Sequence, residues 1–258
     1  MSLTEFITRR PHAPPSSVVS ENGWREALVA LAVTGVIVLA GETFGATLAE
    51  TLFRVLPDTN PIFARLAAPA IVSIYQAVLL WFVVGWLAGP RGRLAALGLA
   101  MPSFRWPHWL ACVFGLYVLK AVLSVVVVIV ARDGGMGAAA ATGAAAGTSP
   151  FGALMRTPAW PLMLLGGIFA AVVEEMLYRG YLSRTLEASV LGFWPGAIVA
   201  SIVWAGLHAY YPFGMQIVLA ILGVALSWLR ARTGSIYPGM TWHVANNTIA
   251  LLALKAIG

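Results

Sequence analysis

Apolar residues in this chain run on for twenty or so positions at a stretch, and short polar or Pro/Gly-rich breaks separate the runs. Each run is long enough to cross a hydrocarbon layer of about 30 Å as a helix. The pattern predicts helical segments at about 24–48, 62–88 and 107–131, then one from Pro158 or Pro161 to Leu191. Three more follow at about 194–210, 214–231 and 237–256. Gly89-Pro90, Trp106-Pro107, Gly192 with Pro195, Pro212 with Gly214, and Thr233-Gly234 with Pro238 supply the breaks. Backbone polar groups in lipid must be satisfied within their own segment, so these runs are helices. The expected fold is all-α, a polytopic membrane protein of about seven transmembrane helices. Residues 1–22 are polar and Pro-rich and read as a disordered tail. The remainder, 23–258, is expected to form one membrane domain, with a Gly/Ala-rich loop at 134–149.

Composition agrees. Of 258 residues 60% are hydrophobic and 10% charged, too little charge to cover a soluble surface, and mean hydropathy is +0.84. The net charge of +6 comes mostly from fourteen Arg, and most of these lie between the apolar runs. That is the signature of loops facing anionic headgroups, so the expected partner is a lipid bilayer and not a nucleic acid. With the amino terminus inside, the inner flanks hold Arg9, Arg10, Arg25, Arg91, Arg93, Arg105, Arg184, Arg230 and Arg232. The outer flanks hold Arg54, Arg65, Arg132, Arg156 and Lys255. Nine against five favours an inside amino terminus. A single cysteine, Cys112, excludes an intramolecular disulfide and a cysteine metal cluster.

Against this background a few polar residues stand out, because charge within a bilayer costs several kcal/mol per group. Glu174 and Glu175 interrupt the fourth segment, and Arg179 follows Glu175 by four positions, so that pair shares a helix face. Glu174 points about 100° away and is available to another partner. His208 ends the fifth segment; His243 and Asn247 lie four apart on one face of the seventh. Glu174 precedes the Gly192 turn by eighteen residues and His208 follows it by sixteen, which at about 1.5 Å per residue places both ~25 Å from it. Asn247 and His243 fall ~20 and ~14 Å from the Gly234 break on the same basis. Four polar groups from three helices are thus expected in one layer.

A carboxylate and an imidazole sharing a water act as a general base. A second imidazole and an amide donate to a developing oxyanion. No Ser-His or Cys-His pair is near, so hydrolysis by activated water fits better than a covalent route. Zinc is the competitor, since two His and a Glu are a common ligand set. The HExxH spacing is absent, and Arg179 beside the carboxylates disfavours a dication.

Glu174-Glu175-x-x-x-Arg179, then Trp204-x-x-x-His208, then His243-x-x-x-Asn247 resemble the three motifs of the CAAX protease and bacteriocin-processing (CPBP) family. The resemblance covers about 158–256; the first 130 residues match only as generic membrane helices. Trp204 departs from the usual Phe, a change expected to alter packing and leave the chemistry. The resemblance implies a glutamate-dependent intramembrane endopeptidase acting on peptides or membrane-protein tails. It makes Glu174 the water-activating base with His208 assisting, His243 and Asn247 the oxyanion hole, and Glu175 with Arg179 a positioning pair. It implies no cofactor, with zinc as the alternative, and a multi-pass protein of a bacterial inner membrane; it sets no oligomeric state. The competing readings are a non-catalytic immunity or scaffold protein of the same fold and a proton-coupled transporter. A transporter would show two related halves, which this sequence lacks. Glu42 and Lys120 are further intramembrane charges; Lys120 is expected to snorkel or pair with Glu42, with lining of the substrate cavity as the alternative.

Overall fold

Helix breakers decide where each apolar run stops, and the chain follows them closely. The computed structural model describes residues 23–55, 61–102, 106–133, 157–158 and 160–257. The expected tail at 1–22 and the loop at 134–149 lie outside these. Helix α1 (Gly23–Ala40) passes through a first π-helical segment (Gly41–Gly45) into α2 (Ala46–Val55). Helix α3 is Pro61–Ala96 and α4 is Trp106–Asp133. Helix α5 (Trp160–Glu174) leads into a second π segment (Glu175–Ser183) and α6 (Arg184–Ala188). Then come α7 (Phe193–Gly206), α8 (Phe213–Thr233) and α9 (Tyr237–Ile257). The described residues are all-α in seven helical stretches, as the apolar runs predict. Five are long and apolar enough to span a membrane: Gly23–Thr51, Ala68–Gly89, Trp106–Arg132, Trp160–Ala188 and Phe213–Thr233.

Three boundaries differ from expectation, each for a local reason. The second run does not stop at Gly89 but kinks there, since Gly89 takes φ 73° and ψ 164° ahead of a proline. The fourth run is not one regular helix, because the nine-residue π segment interrupts it and it ends at Ala188. The fifth ends at Gly206, four residues short, which puts His208 in the turn that follows. Gly192 opens α7 with φ 68°, a conformation that a side chain resists.

The structure falls into two compact units. One gathers described residues within Met1–Leu31, Leu94–Ala145 and Glu175–Trp242; the other gathers those within Ala32–Arg93, Ala146–Glu174 and His243–Gly258. In the first unit Leu116 of α4 packs with Val218, Leu222, Leu226 and Leu229 of α8 and with Trp242 of α9. Half-buried Cys112 adds to this core as one more apolar group. The outer side of α4 stays uncovered, with Val125, Ile129 and Val130 at 58%, 54% and 65% exposure. Such a face suits acyl chains and no aqueous phase. In the second unit Met163 of α5 packs with Leu251 and Leu254 of α9, and Gly167 lies against Leu251. The first π segment sits there too, with the Gln76 side chain packed on Gly41.

Candidate active site

The second π segment begins at the second of the two adjacent glutamates, and the two carboxylates go different ways. Glu175 is 1% exposed and meets the Arg179 guanidinium at 3.3 Å, with Arg179 itself 2% exposed. Neighbouring helices make room for the pair with glycine. A methyl group on Gly239 of α9 would stand 3.2 Å from Glu175 Oε2, and one on Gly223 of α8 would stand 3.1 Å from Arg179 Nη2. From α7, Trp204 lays its ring against the cation, with Cζ 3.9 Å from the ring centroid. Within the first unit the buried pair is thus met by an aromatic face on α7 and by glycines of α8 and α9. The expected Glu175–Arg179 pairing is present.

His208 belongs to the same unit and owes its state to the end of α7. The last carbonyls of a helix have no intrahelical donor, and Trp204 supplies one of them. His208 Nδ1 lies 2.9 Å from the Trp204 carbonyl oxygen. A carbonyl only accepts, so Nδ1 carries the hydrogen and, in the neutral ring, Nε2 keeps a lone pair. The imidazole also stacks on Tyr211 (centroids 6.2 Å apart, planes at 11°) and stands T-shaped to Trp204. The ring is half-buried.

The remaining motif residues lie in the second unit. Glu174, at the end of α5, has a side chain 24% exposed, and its Oε2 lies 3.9 Å from His243 Nε2 on α9. That is beyond hydrogen-bond range. A single oxygen atom bonded to both would stand about 2.8 Å from each, with the two bonds at roughly a right angle. One turn further along α9, Asn247 Nδ2 donates to the Gly167 carbonyl at 3.2 Å, and its Oδ1 accepts from Asn246 at 3.4 Å. An amide nitrogen carries two hydrogens, so the Gly167 bond uses one of them. The structure thus brings together Glu174 with His243 in one unit, and Glu175, Arg179 and His208 through Trp204 in the other.

Residues 156–249 match the family described as Type II CAAX prenyl endopeptidase Rce1-like. The match supports the resemblance of this segment to the CAAX protease, or CPBP, family. The CPBP segment starts just before α5 and ends within α9, so it contains all six motif residues. No curated protein and no solved structure matches the chain. The CPBP match implies CAAX-type intramembrane endopeptidase activity in general. With five apolar helices, it makes the chain an integral, multi-pass membrane protein.

For a metal, the donor set is thin. Among the described residues no group of three His, Cys, Asp or Glu side chains is placed to hold one ion. Glu174 and His243 offer two donors where a catalytic zinc takes three from protein.

A further buried polar cluster carries no motif. Ser183 donates to Glu187 at 2.5 Å and lies 3.0 Å from the Ser227 hydroxyl, and Arg230 of α8 pairs with Glu187. Arg184 donates to the carbonyl of Ala95 at the end of α3. Ser183 and Glu187 are four apart, a weak hint in sequence, but their partner Arg230 lies 43 positions on and nothing local announces it. Of the two other intramembrane charges, Glu42 is exposed in the first π segment and Lys120 is half-buried in α4.

Proposed function

We propose that the protein is a glutamate-dependent intramembrane endopeptidase in which Glu174 activates water with the help of His208. The supporting observation is the 3.9 Å separation of Glu174 Oε2 and His243 Nε2, which suits one oxygen atom held between a carboxylate and an N–H donor. Facing a carboxylate, Nε2 of His243 carries a hydrogen. In the reaction Glu174 takes a proton from the water as its oxygen adds to the scissile carbonyl carbon. The carbonyl π bond becomes an oxyanion, which receives hydrogen bonds from His243 Nε2–H and the second Asn247 N–H. The C–N bond then breaks, the carbonyl re-forms, and the proton passes to the departing amine. His208 assists through its Nε2 lone pair. Glu175 and Arg179 touch no reacting atom in this scheme and act as positioning residues. The substrate class is a peptide or the tail of a membrane protein, and the family description makes a prenylated peptide ending in a CAAX sequence the first probe. The expected location, a bacterial inner membrane, is part of the same reading.

The test is cleavage of that probe by the purified protein in lipid nanodiscs, comparing wild type with Glu174→Ala and His208→Ala, each with and without a chelator. Activity lost in both variants and unchanged by chelation supports the scheme. Loss on chelation with rescue by zinc replaces it with metal-assisted hydrolysis. Full activity in either variant removes that residue from the mechanism.

A further inference from the structure

His208 has an intrinsic weakness as a catalytic group, since the torsion that turns its ring is broad and nearly two-fold. Half a turn would exchange Nδ1 with a carbon and lose the bond to the Trp204 carbonyl. Neighbours must therefore fix the ring: Tyr210 and Tyr211 lie against it, and Trp204 is the neighbour that links it to the buried ion pair. Trp204 is 2% exposed. Its backbone carbonyl, which any residue at this position would supply, lies 2.9 Å from His208 Nδ1, and its indole stands at 70° to the imidazole with centroids 5.2 Å apart, so the ring contact is what the tryptophan side chain itself adds. The same indole also carries the Arg179 guanidinium over its ring, 3.9 Å from the centroid. Arg179 is held in turn by Glu175 at 3.3 Å. Glu175, Arg179, Trp204 and His208 form one unbroken series of contacts inside a single compact unit, leading from the second π segment to the turn after α7.

We propose that Trp204 is a positioning residue for water activation: it transmits the placement of the buried Glu175–Arg179 pair to His208 and holds that imidazole in the Nδ1–H form with Nε2 as proton acceptor. The proposal rests on the role given to His208 above. It assigns the ion pair an effect on chemistry beyond filling the core. It also gives a reason for an aromatic residue four positions before the histidine, because an aliphatic side chain offers no face to a cation and no plane to set a ring against.

The chain has four histidines, so selective labelling gives a short spectrum. Histidine labelled with ¹⁵N is incorporated into the full chain in nanodiscs, and His208→Asn identifies the His208 signals. Wild type, Trp204→Phe, Trp204→Leu and Arg179→Lys are then compared for tautomer and for kcat and KM on the prenylated probe. Wild type and Trp204→Phe are expected to show the Nδ1–H form alone. Trp204→Leu is expected to show both tautomers, with kcat lower by about 10²-fold and KM unchanged, as for a misplaced catalytic group. Arg179→Lys keeps the charge but loses the planar stack, and is expected to shift the tautomer ratio in the same direction. A single Nδ1–H form in both Trp204→Leu and Arg179→Lys overturns the proposal, as does a fall in kcat without any tautomer change. Should Trp204→Leu fail to fold, Arg179→Lys decides alone. Full activity in His208→Asn would instead overturn the role of His208, while the tautomer comparison still reports whether the coupling exists.

Discussion

Replacing Glu175 by Gln removes one charge from a pair that has almost no contact with solvent, the two side chains being 1% and 2% exposed. Breaking a buried ion pair by removing one partner leaves the other charge without compensation and destabilises by about 3–5 kcal/mol. The Trp204 face remains against Arg179 and returns roughly 0.5–2 kcal/mol of that as a cation–π contact. Glu175→Gln should therefore fall at the lower end, about 3 kcal/mol. Arg179→Met strands a carboxylate that a ring face does not stabilise, and should fall at the upper end, about 5 kcal/mol. Removing both charges together changes the balance, because no unpaired ion is left in the core. Glu175→Gln with Arg179→Met is expected within about 2 kcal/mol of wild type. Equilibrium unfolding in mixed micelles measures all three, and the double-mutant cycle isolates the coupling. Additive losses in the double variant, or single losses below about 1 kcal/mol, would refute the assignment of a desolvated pair held by mutual attraction.

Three further outcomes are expected on the same structural grounds. Glu174→Gln keeps the shape of the site but removes the proposed base, and cleavage should slow by about 10²–10⁴-fold in kcat with KM little changed. Asn247→Ala removes the proposed oxyanion donor and should lower kcat by about 10²–10³-fold, read from initial rates on the same probe. Gly223→Ala drives a methyl to 2.8 Å from Ser201 Cβ and 3.1 Å from Arg179 Nη2, so it should cost about 1–3 kcal/mol by overpacking in the same unfolding assay.

How much of this was legible beforehand depended on whether the information was local. Seven apolar runs were visible because lipid demands about twenty apolar residues per crossing, and their ends were visible because Pro and Gly end helices by backbone chemistry. The Glu175–Arg179 pair was legible from its spacing alone. The motif order identified the CPBP segment, which the family match at 156–249 then supported. Hidden were the features that depend on residues far apart. Gly223 and Gly239 read as ordinary membrane-helix glycines until the ion pair is seen against them. Arg230 gave no sign of reaching Glu187, and Trp204 reads as a substitution within a motif until its ring is seen to contact both Arg179 and His208. The end of α7 at Gly206 was missed because Leu207, His208 and Ala209 carry no breaker, so the apolar pattern runs on past the last helical turn.

The π segment at Glu175–Ser183 also sets a limit on engineering. A π turn holds an extra residue relative to an α turn, so the sequence on its two sides follows two different phases. Residues of α5 and of α6 cannot be assigned to faces with one helical wheel, and a wheel started at Trp160 misassigns every position after Glu175. A graft of these six motif residues onto an idealised helical bundle would copy the letters and lose the directions in which they point. The transferable unit is the whole run Glu175–Ser183, extra residue included; deleting one residue between Glu175 and Arg179 would break the spacing that lets those two side chains meet.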